Sequence, residues 1–269
     1  MYPGGCALNP KTQTLNYVFS FLGGLLLMFI SLPLVSTLLG TSAGQFWQTL
    51  IDPEVLRSFA LTFGAAAAAT SIALLTGVPL AYLLARRQFR GKRLVEALIN
   101  LPVIIPHTAA GIALLLVFGR QGVLGQWLTP LGLTFTDNIG GIVVGMLFVS
   151  LPYLVNMSRE AFALVDEELE RVALIDGASA WQAFRHVSLP LAWRGVLAGA
   201  VMMWARGISE FGAIVILAYN PKIVPVLVYE RFNGFGLGAA QPVAALLIVV
   251  AIIVFILVQL FLMPGRKSS

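Results

Sequence analysis

The chain has 269 residues, of which 58% are hydrophobic and only 11% charged, with a net charge of +5 and a single cysteine. A soluble domain carries about 25% charged residues, so this chain cannot coat a water-facing surface, which excludes an ordinary soluble enzyme and a disordered tail. The lone Cys6 excludes an intramolecular disulfide and a multi-cysteine metal site.

A helix needs about 20 apolar residues to cross the hydrocarbon core of a bilayer. Six stretches reach or approach that length, at residues 16–39, 59–85, 97–118, 139–155, 195–217 and 243–263. Lipid offers the backbone no hydrogen bonds, so each stretch is expected to be helical. A β-barrel would alternate over strands of about ten residues, and the run ALLIVVAIIVFILV, residues 245–258, does not alternate. The predicted class is therefore an all-α membrane protein of six spans, one transmembrane domain over residues 1–269.

The first span follows Lys11. Its apolar run exceeds the roughly 7–15 residues of a signal-peptide core, so it is expected to be retained. Span two carries Gly64 and Ala65 to Ala69, small residues suited to close helix packing. The loop after it, RRQFRGKR, holds Arg86, Arg87, Arg90, Lys92 and Arg93. Of the 17 Lys and Arg, 12 lie at the termini and in the loops after spans two and four; four lie in the other loops and one, Arg206, inside span five. That bias places both termini and the two basic loops in the cytoplasm, and makes the positive charge a topology signal rather than a nucleic-acid footprint.

Span three contains LPVIIPHTAAG. Pro102 and Pro106 each remove a backbone hydrogen bond, so the helix is expected to kink or break there. Pro106, His107 and Thr108 then either line a water-filled path, or His107 is satisfied by a neighbouring helix. Gly141 with Gly145 in span four, and Gly195 with Gly199 in span five, are spaced for close helix contacts, within one subunit or between two. The tryptophans Trp47, Trp127, Trp181, Trp193 and Trp204 mostly flank spans, as interfacial anchors do.

The loop at 158–194 is not a plain linker. Asp166 is a candidate N-cap, with Glu167, Glu168 and Glu170 in the first turn, at the positive end of the helix dipole. Gly177 fits the stop of that helix. Ser179 and Gln182 form a capping box that opens a second short helix, which Leu189-Pro190 is expected to end. Anionic lipid would repel the four acids, so a docking element for a cytoplasmic partner fits better than a helix resting on headgroups.

Span five contains Arg206 and Glu210, four residues apart and on one face. Each charge is costly in lipid unless it is paired or faces water. The pair either fixes helix packing or lines an anion path. The outer segment 218–236 is too apolar for a linker; Pro221 and Pro225 prevent a full span, and a re-entrant or capping segment is expected, with Tyr229, Glu230 and Arg231 at its polar end. No G-x-x-x-x-G-K-[ST] run occurs, so any ATP must be held by another polypeptide.

The run Asp176-Gly177-Ala178, then Phe184 and Val187-Ser188-Leu189-Pro190, resembles the coupling motif of ABC importer permeases. Two features depart from it. The family's glutamate would fall on Arg171, with Glu170 one residue early, and its two alanines become Val172 and Ala173. The resemblance implies that this loop docks an ATPase subunit, with Glu170, Asp176, Gly177, Ala178, Ser179, Trp181, Phe184, Arg185, Leu189 and Pro190 as coupling residues. The blocks LPVIIPHTAAGIALL, ARGISEFGAIVILAYNP and PVLVYERF resemble, more closely, permease subunits of molybdate/tungstate ABC importers. That likeness covers nearly the whole chain and implies a homodimer in the cell membrane with a pore at its interface. It also implies two cytoplasmic ATPase subunits that carry ATP and Mg, an external oxyanion-binding protein, and no cofactor, metal or catalytic residue on this chain. Arg206, Ser209, Glu210, Pro106, His107 and Thr108 would then lie on the translocation pathway. A sulfate-type ABC permease is the alternative. A secondary anion carrier would need paired broken helices in two halves, and only span three shows a proline break. A membrane enzyme would need a cluster of reactive side chains, and the chain has two histidines and one cysteine.

Overall fold

The computed structural model describes residues 10–262, and every regular element among them is helical. In chain order these are α1 (Pro10–Leu39), α2 (Ala43–Ile51), α3 (Pro53–Arg86), α4 (Lys92–Ile104), α5 (His107–Phe118), α6 (Gly125–Leu128) and α7 (Ile139–Ala163). After these come α8 (Glu167–Ile175), α9 (Ala180–Ala183), α10 (Leu189–Ile208), α11 (Gly212–Leu217), α12 (Val224–Phe235) and α13 (Leu237–Leu262). Cys6, Arg266, Lys267 and the last residue of the predicted sixth span, Met263, lie outside the described residues.

Five helices are long and apolar enough to cross a membrane, and the α4–α5 pair makes a sixth if counted as one bent span. Helices α3, α7 and α10 form the core. Ala65, Ala66, Ala69 and Ala73 from α3 pack on Ile142, Met146 and Val155 from α7 and on Val196, Ala200 and Met203 from α10. Small residues let these backbones approach closely. A Cβ on Gly199 would sit 3.1 Å from Met157 Cβ and 3.2 Å from the Leu154 carbonyl oxygen. The Gly195 and Gly199 contacts, and that of Gly145 with Ile214, are thus within one subunit. Helix α1 is exposed from Leu15 to Val35, as lipid contact or a partner helix would allow, and meets the bundle at its C-terminal end, where Gln241 of α13 donates to the Thr37 carbonyl at 3.2 Å.

Several predicted boundaries move. Helix α3 starts at Pro53 rather than 59, because Asp52 caps it, accepting from the Glu54 N–H at 2.8 Å, and Pro53 suits the first turn. Helix α7 runs to Ala163, which shortens the loop that follows. Span three is not one helix: α4 and α5 are bent by 117° at Ile105-Pro106, whereas Pro102 is accommodated inside α4. Span five is broken as well. Helix α10 ends at Ile208 and α11 begins at Gly212, after the irregular run Ser209-Glu210-Phe211. Leu189-Pro190 does not end the second short helix. Phe184–Ser188 forms a π turn in which Leu189 donates to the Phe184 carbonyl, and the helix continues into α10 with Pro190 in its first turn. The wider turn makes room for the pyrrolidine ring, which a regular helix would not. Trp204 is also not an interfacial anchor: its indole N–H donates to the Phe63 carbonyl at 3.4 Å and its ring packs edge-on against Phe63.

Candidate functional site

The segment from Leu164 to Ser188 is built by local chemistry. Asp166 accepts from the Glu168 N–H at 2.9 Å and opens α8. Gly177, with φ of +92°, closes it; the Gly177 N–H reaches the Leu174 carbonyl at 3.1 Å and the Ala178 N–H reaches Ala173 at 3.0 Å. That pair of bonds is a Schellman stop, which needs a residue able to adopt the left-handed region. Ser179 and Gln182 then cap α9 reciprocally, at 3.2 and 2.7 Å.

The segment has two faces. Asp176, Gly177, Ser179, Trp181, Arg185 and Pro190 are exposed, Ala178 and Leu189 are half-buried, and Phe184 is buried. Val172 and Ile175 add apolar surface to the outer face, being 55% and 84% exposed. Phe184 packs in a ring cluster with Tyr82 and Phe162, at centroid distances of 4.8 and 6.0 Å.

Glu170 points inward. Its carboxylate accepts from Tyr82 Oη at 2.8 Å, Arg86 Nε at 2.8 Å and Ser188 Oγ at 2.6 Å. The Arg86 guanidinium also donates to the Val165 carbonyl at 2.9 Å. One side chain thereby ties the end of α3, the start of α8 and the π turn together. Burial pushes the Glu170 carboxyl up, but the hydrogen bonds from Ser188, Arg86 and Tyr82 outweigh it and hold the group below the usual glutamate range.

About 20 residues further along, α10 ends at a second constellation. The Arg206 guanidinium lies 3.0 Å from Glu210 Oε2, and His107 Nδ1 lies 2.8 Å from the same oxygen. Arg206 also lies 2.8 and 3.0 Å from the two imidazole nitrogens and donates to Ser209 Oγ at 3.2 Å. Neither contact to Glu210 Oε2 has hydrogen-bond geometry, so that buried oxygen is held by the nearby Arg206 charge rather than by an aligned donor. Glu210 is fully buried, and its Oε1 accepts from the Ala213 N–H at 2.9 Å, which starts α11. The Arg206 and His107 side chains remain 22% and 33% exposed, so the trio is reachable from outside the bundle. Pro106, Thr108 and Ser209 are exposed beside it. The breaks of spans three and five are thus stitched to each other. Gly212 permits this, since a Cβ there would fall 2.7 Å from His107 Cβ.

Three groups of residues fall outside the predicted set. Tyr82, Arg86 and Ser188 complete the Glu170 junction. Glu96 with Arg159, at 3.1 Å, and Asn100 with Asn156, at 2.6 Å, form a polar ladder between α4 and α7. At the far end of the bundle, Arg231 pairs with Asp52 at 2.7 Å, while Lys222 pairs with Glu230 at 2.6 Å and with Glu54 at 3.2 Å. The Lys222 hydrogen bond, more than burial, sets the Glu230 carboxyl below its ordinary range. The sequence signal for the junction was Arg86, a cation at the very end of an apolar span. Apart from Lys222 and Glu230, which are eight residues apart, the other partners are more than 50 residues apart and carry no local signature.

A family described as binding-protein-dependent transport system inner membrane component matches residues 77–264. The molybdate/tungstate transport system permease protein of Pyrococcus furiosus is 42% identical over 260 residues, covering 96% of this chain and 99% of that protein. Its counterpart in Thermococcus kodakarensis is 40% identical over 255 residues, covering 94% of this chain and 97% of that protein. The sulfate transport system permease protein of Synechocystis is 30% identical over 251 residues, covering 91% and 88%. Among solved structures, a bacterial ABC transporter involved in the import of the acidic polysaccharide alginate superposes with a TM-score of 0.73 at 17% identity, over 96% of this chain and 98% of that one. A bacterial alginate ABC transporter, solved with a pentasaccharide-bound periplasmic protein, gives 0.72 at 16% identity over 92% and 93%.

Proposed function

This chain belongs to the family of binding-protein-dependent transport system inner membrane components, and from that premise we propose that it is the membrane-spanning subunit of an ATP-driven importer of molybdate or tungstate. The likeness to archaeal molybdate/tungstate permeases, at 40% identity and above over nearly the full length of both chains, carries the reading. The weaker likeness to sulfate permeases makes sulfate the second choice.

In this reading two copies surround the pathway. Separate ATPase subunits bind in the cytoplasm and an external binding protein delivers the anion; ATP and Mg reside on the ATPases. The exposed face of α8 and α9, with Val172, Ile175, Asp176, Trp181 and Arg185, enters a cleft of the ATPase. Glu170 does not touch that partner: it holds the docking segment to α3 and α10. Helix α10 then acts as a rod. At about 1.5 Å per residue it spans roughly 30 Å and carries Arg206 in its last turn. Displacement of the docking segment by nucleotide-driven closure therefore moves the Arg206–Glu210–His107 trio.

A divalent oxyanion needs a hydrated route, since stripping its water in lipid is prohibitive. Arg206 lowers the barrier for the anion. Glu210 compensates the cation, so the site passes the anion on rather than trapping it, as conduction requires.

The test is ATP hydrolysis by the complex in liposomes, with the binding protein loaded in turn with molybdate, tungstate, sulfate and phosphate. Stimulation by molybdate and tungstate alone is expected. Equal stimulation by sulfate would move the substrate to the second choice. No stimulation by any anion, with no ATPase co-purifying, would sink the coupling role of the segment.

A further inference from the structure

The turn between α3 and α4 is used neither by the docking segment nor by the stitched breaks. Of its five cations, Arg86 is committed to Glu170. Arg87, Arg90 and Arg93 are exposed and, like Lys92, make no ion pair among the described residues. The nearest acid along the chain, Glu96, is held by Arg159. Phe89 stands among the cations with 45% of its surface exposed. Gln88, Phe89, Gly91, Lys92, Arg93 and Glu96 line an open recess of about 400 Å³.

Helix α4, which follows, is inside out. Its polar residues Glu96 and Asn100 face α7, where they bond to Arg159 and Asn156. Its leucines Leu94, Leu98 and Leu101, spaced along one stripe, are 64%, 58% and 47% exposed. A helix that turns polar groups toward protein and an apolar stripe outward has hydrocarbon as its outer solvent. Its first residues then emerge from the hydrocarbon where headgroups begin, and there the unpaired cations cluster.

We propose that the α3–α4 turn is a seat for anionic phospholipid. Arg90, Lys92 and Arg93 take the phosphate, Arg87 and Phe89 border it, and the acyl chains lie along Leu94, Leu98 and Leu101. Arginine suits this task because its planar donors match two phosphate oxygens at once. A cluster of unpaired cations directly beside a span attracts anionic headgroups, and an aromatic ring among them settles at the same level. A zwitterionic headgroup satisfies the phosphate contacts but leaves the surplus positive charge uncompensated, so anionic lipid is preferred.

Native mass spectrometry of the full-length chain, titrated in detergent with phosphatidylglycerol and separately with phosphatidylcholine, tests the seat. Wild type is expected to retain phosphatidylglycerol preferentially, and less of it at high salt. The combined Arg87→Gln, Arg90→Gln, Arg93→Gln variant should bind phosphatidylglycerol at least about tenfold more weakly. The combined Arg→Lys variant at the same positions should keep the preference, and Arg57→Gln at the far end should leave it untouched. The proposal is overturned if the Gln variant retains phosphatidylglycerol like wild type, or if Arg57→Gln weakens it equally. Displacement of the lipid by inorganic phosphate would likewise overturn it, in favour of a free-anion site. Leu98→Cys chains in a Cys6→Ser background that form disulfide-linked dimers in bilayers would overturn it too, because a second copy then covers the leucine stripe.

Discussion

Glu170 concentrates the demands on a single side chain. It is a carboxylate held by three donors, two from α3 and one from the π turn, and charge-assisted bonds of this kind are the strong ones. Glu170→Gln keeps the shape and removes the charge, so a loss of about 1–3 kcal/mol is expected, read as a lower Tm of the purified chain. Because the folded carboxyl holds its charge below the range of a free glutamate, its contribution is complete above that range and fades as pH falls through the folded value. The Tm gap between wild type and Glu170→Gln should therefore close on acidification; a gap unchanged down to about pH 3 would refute the charge-based account. Arg206 poses a different question, whether its pair with Glu210 is structural or serves transport. Arg206→Ala leaves the fully buried Glu210 without its cation and should destabilise by about 3–5 kcal/mol. Combining Arg206→Met with Glu210→Gln removes both charges and should recover most of the Tm. Uptake should stay lost in that double variant, and restored uptake would reduce the pair to a packing device.

At the scale of the element, sequence-local chemistry explains the docking segment and fails at the breaks. Asp166, Gly177 and Ser179 act on backbone groups within five residues of themselves, so the two short helices were legible from residue types and spacing alone. Gly177→Ala forces a side chain into the left-handed region and should cost about 1–2 kcal/mol. Ser179→Ala should cost about 1 kcal/mol through the lost cap. Hydrogen exchange of amides 173–183 in the complex would report both, as faster exchange on either side of the hinge. The break at Ile105-Pro106 was expected from proline. The one at Ser209-Phe211 was not, because it contains no proline. Glu210 turns back to the Ala213 N–H and His107 reaches across from another span, and neither contact has a signature in the chain around it. Gly212 marks the place once the neighbour is known. Gly212→Ala would drive a methyl into His107 and should part the two breaks, seen as a lower Tm and slower uptake. Only one broken span was expected, which weighed against a secondary carrier; the structure has two, so that argument lapses, and family membership alone decides between the transport classes.

For the whole molecule, the docking segment and the Arg206 trio sit near opposite ends of α10, while the charge lattice around Arg231 and Lys222 pins α12 to the start of α3 at the far end. The rod picture predicts that loosening one end is felt at the other. Arg231→Ala should free α12 and raise protease cleavage within residues 219–236 in the free chain. Uptake should fall while the ATPase remains bound through the α8–α9 face; loss of ATPase binding instead would show that α12 supports the docking segment. The sequence by itself determined the solvent of this protein, its helical class and the caps of the docking segment. These follow from composition and from contacts a few residues apart, which survive any tertiary arrangement. Only the tertiary structure decided which way Glu170 points and that two broken spans meet at one carboxylate. Those depend on groups about 20 to 100 residues apart, placed by the packing of small residues on α3, α7 and α10, and burial obliges each polar side chain to find a partner wherever the fold has brought one.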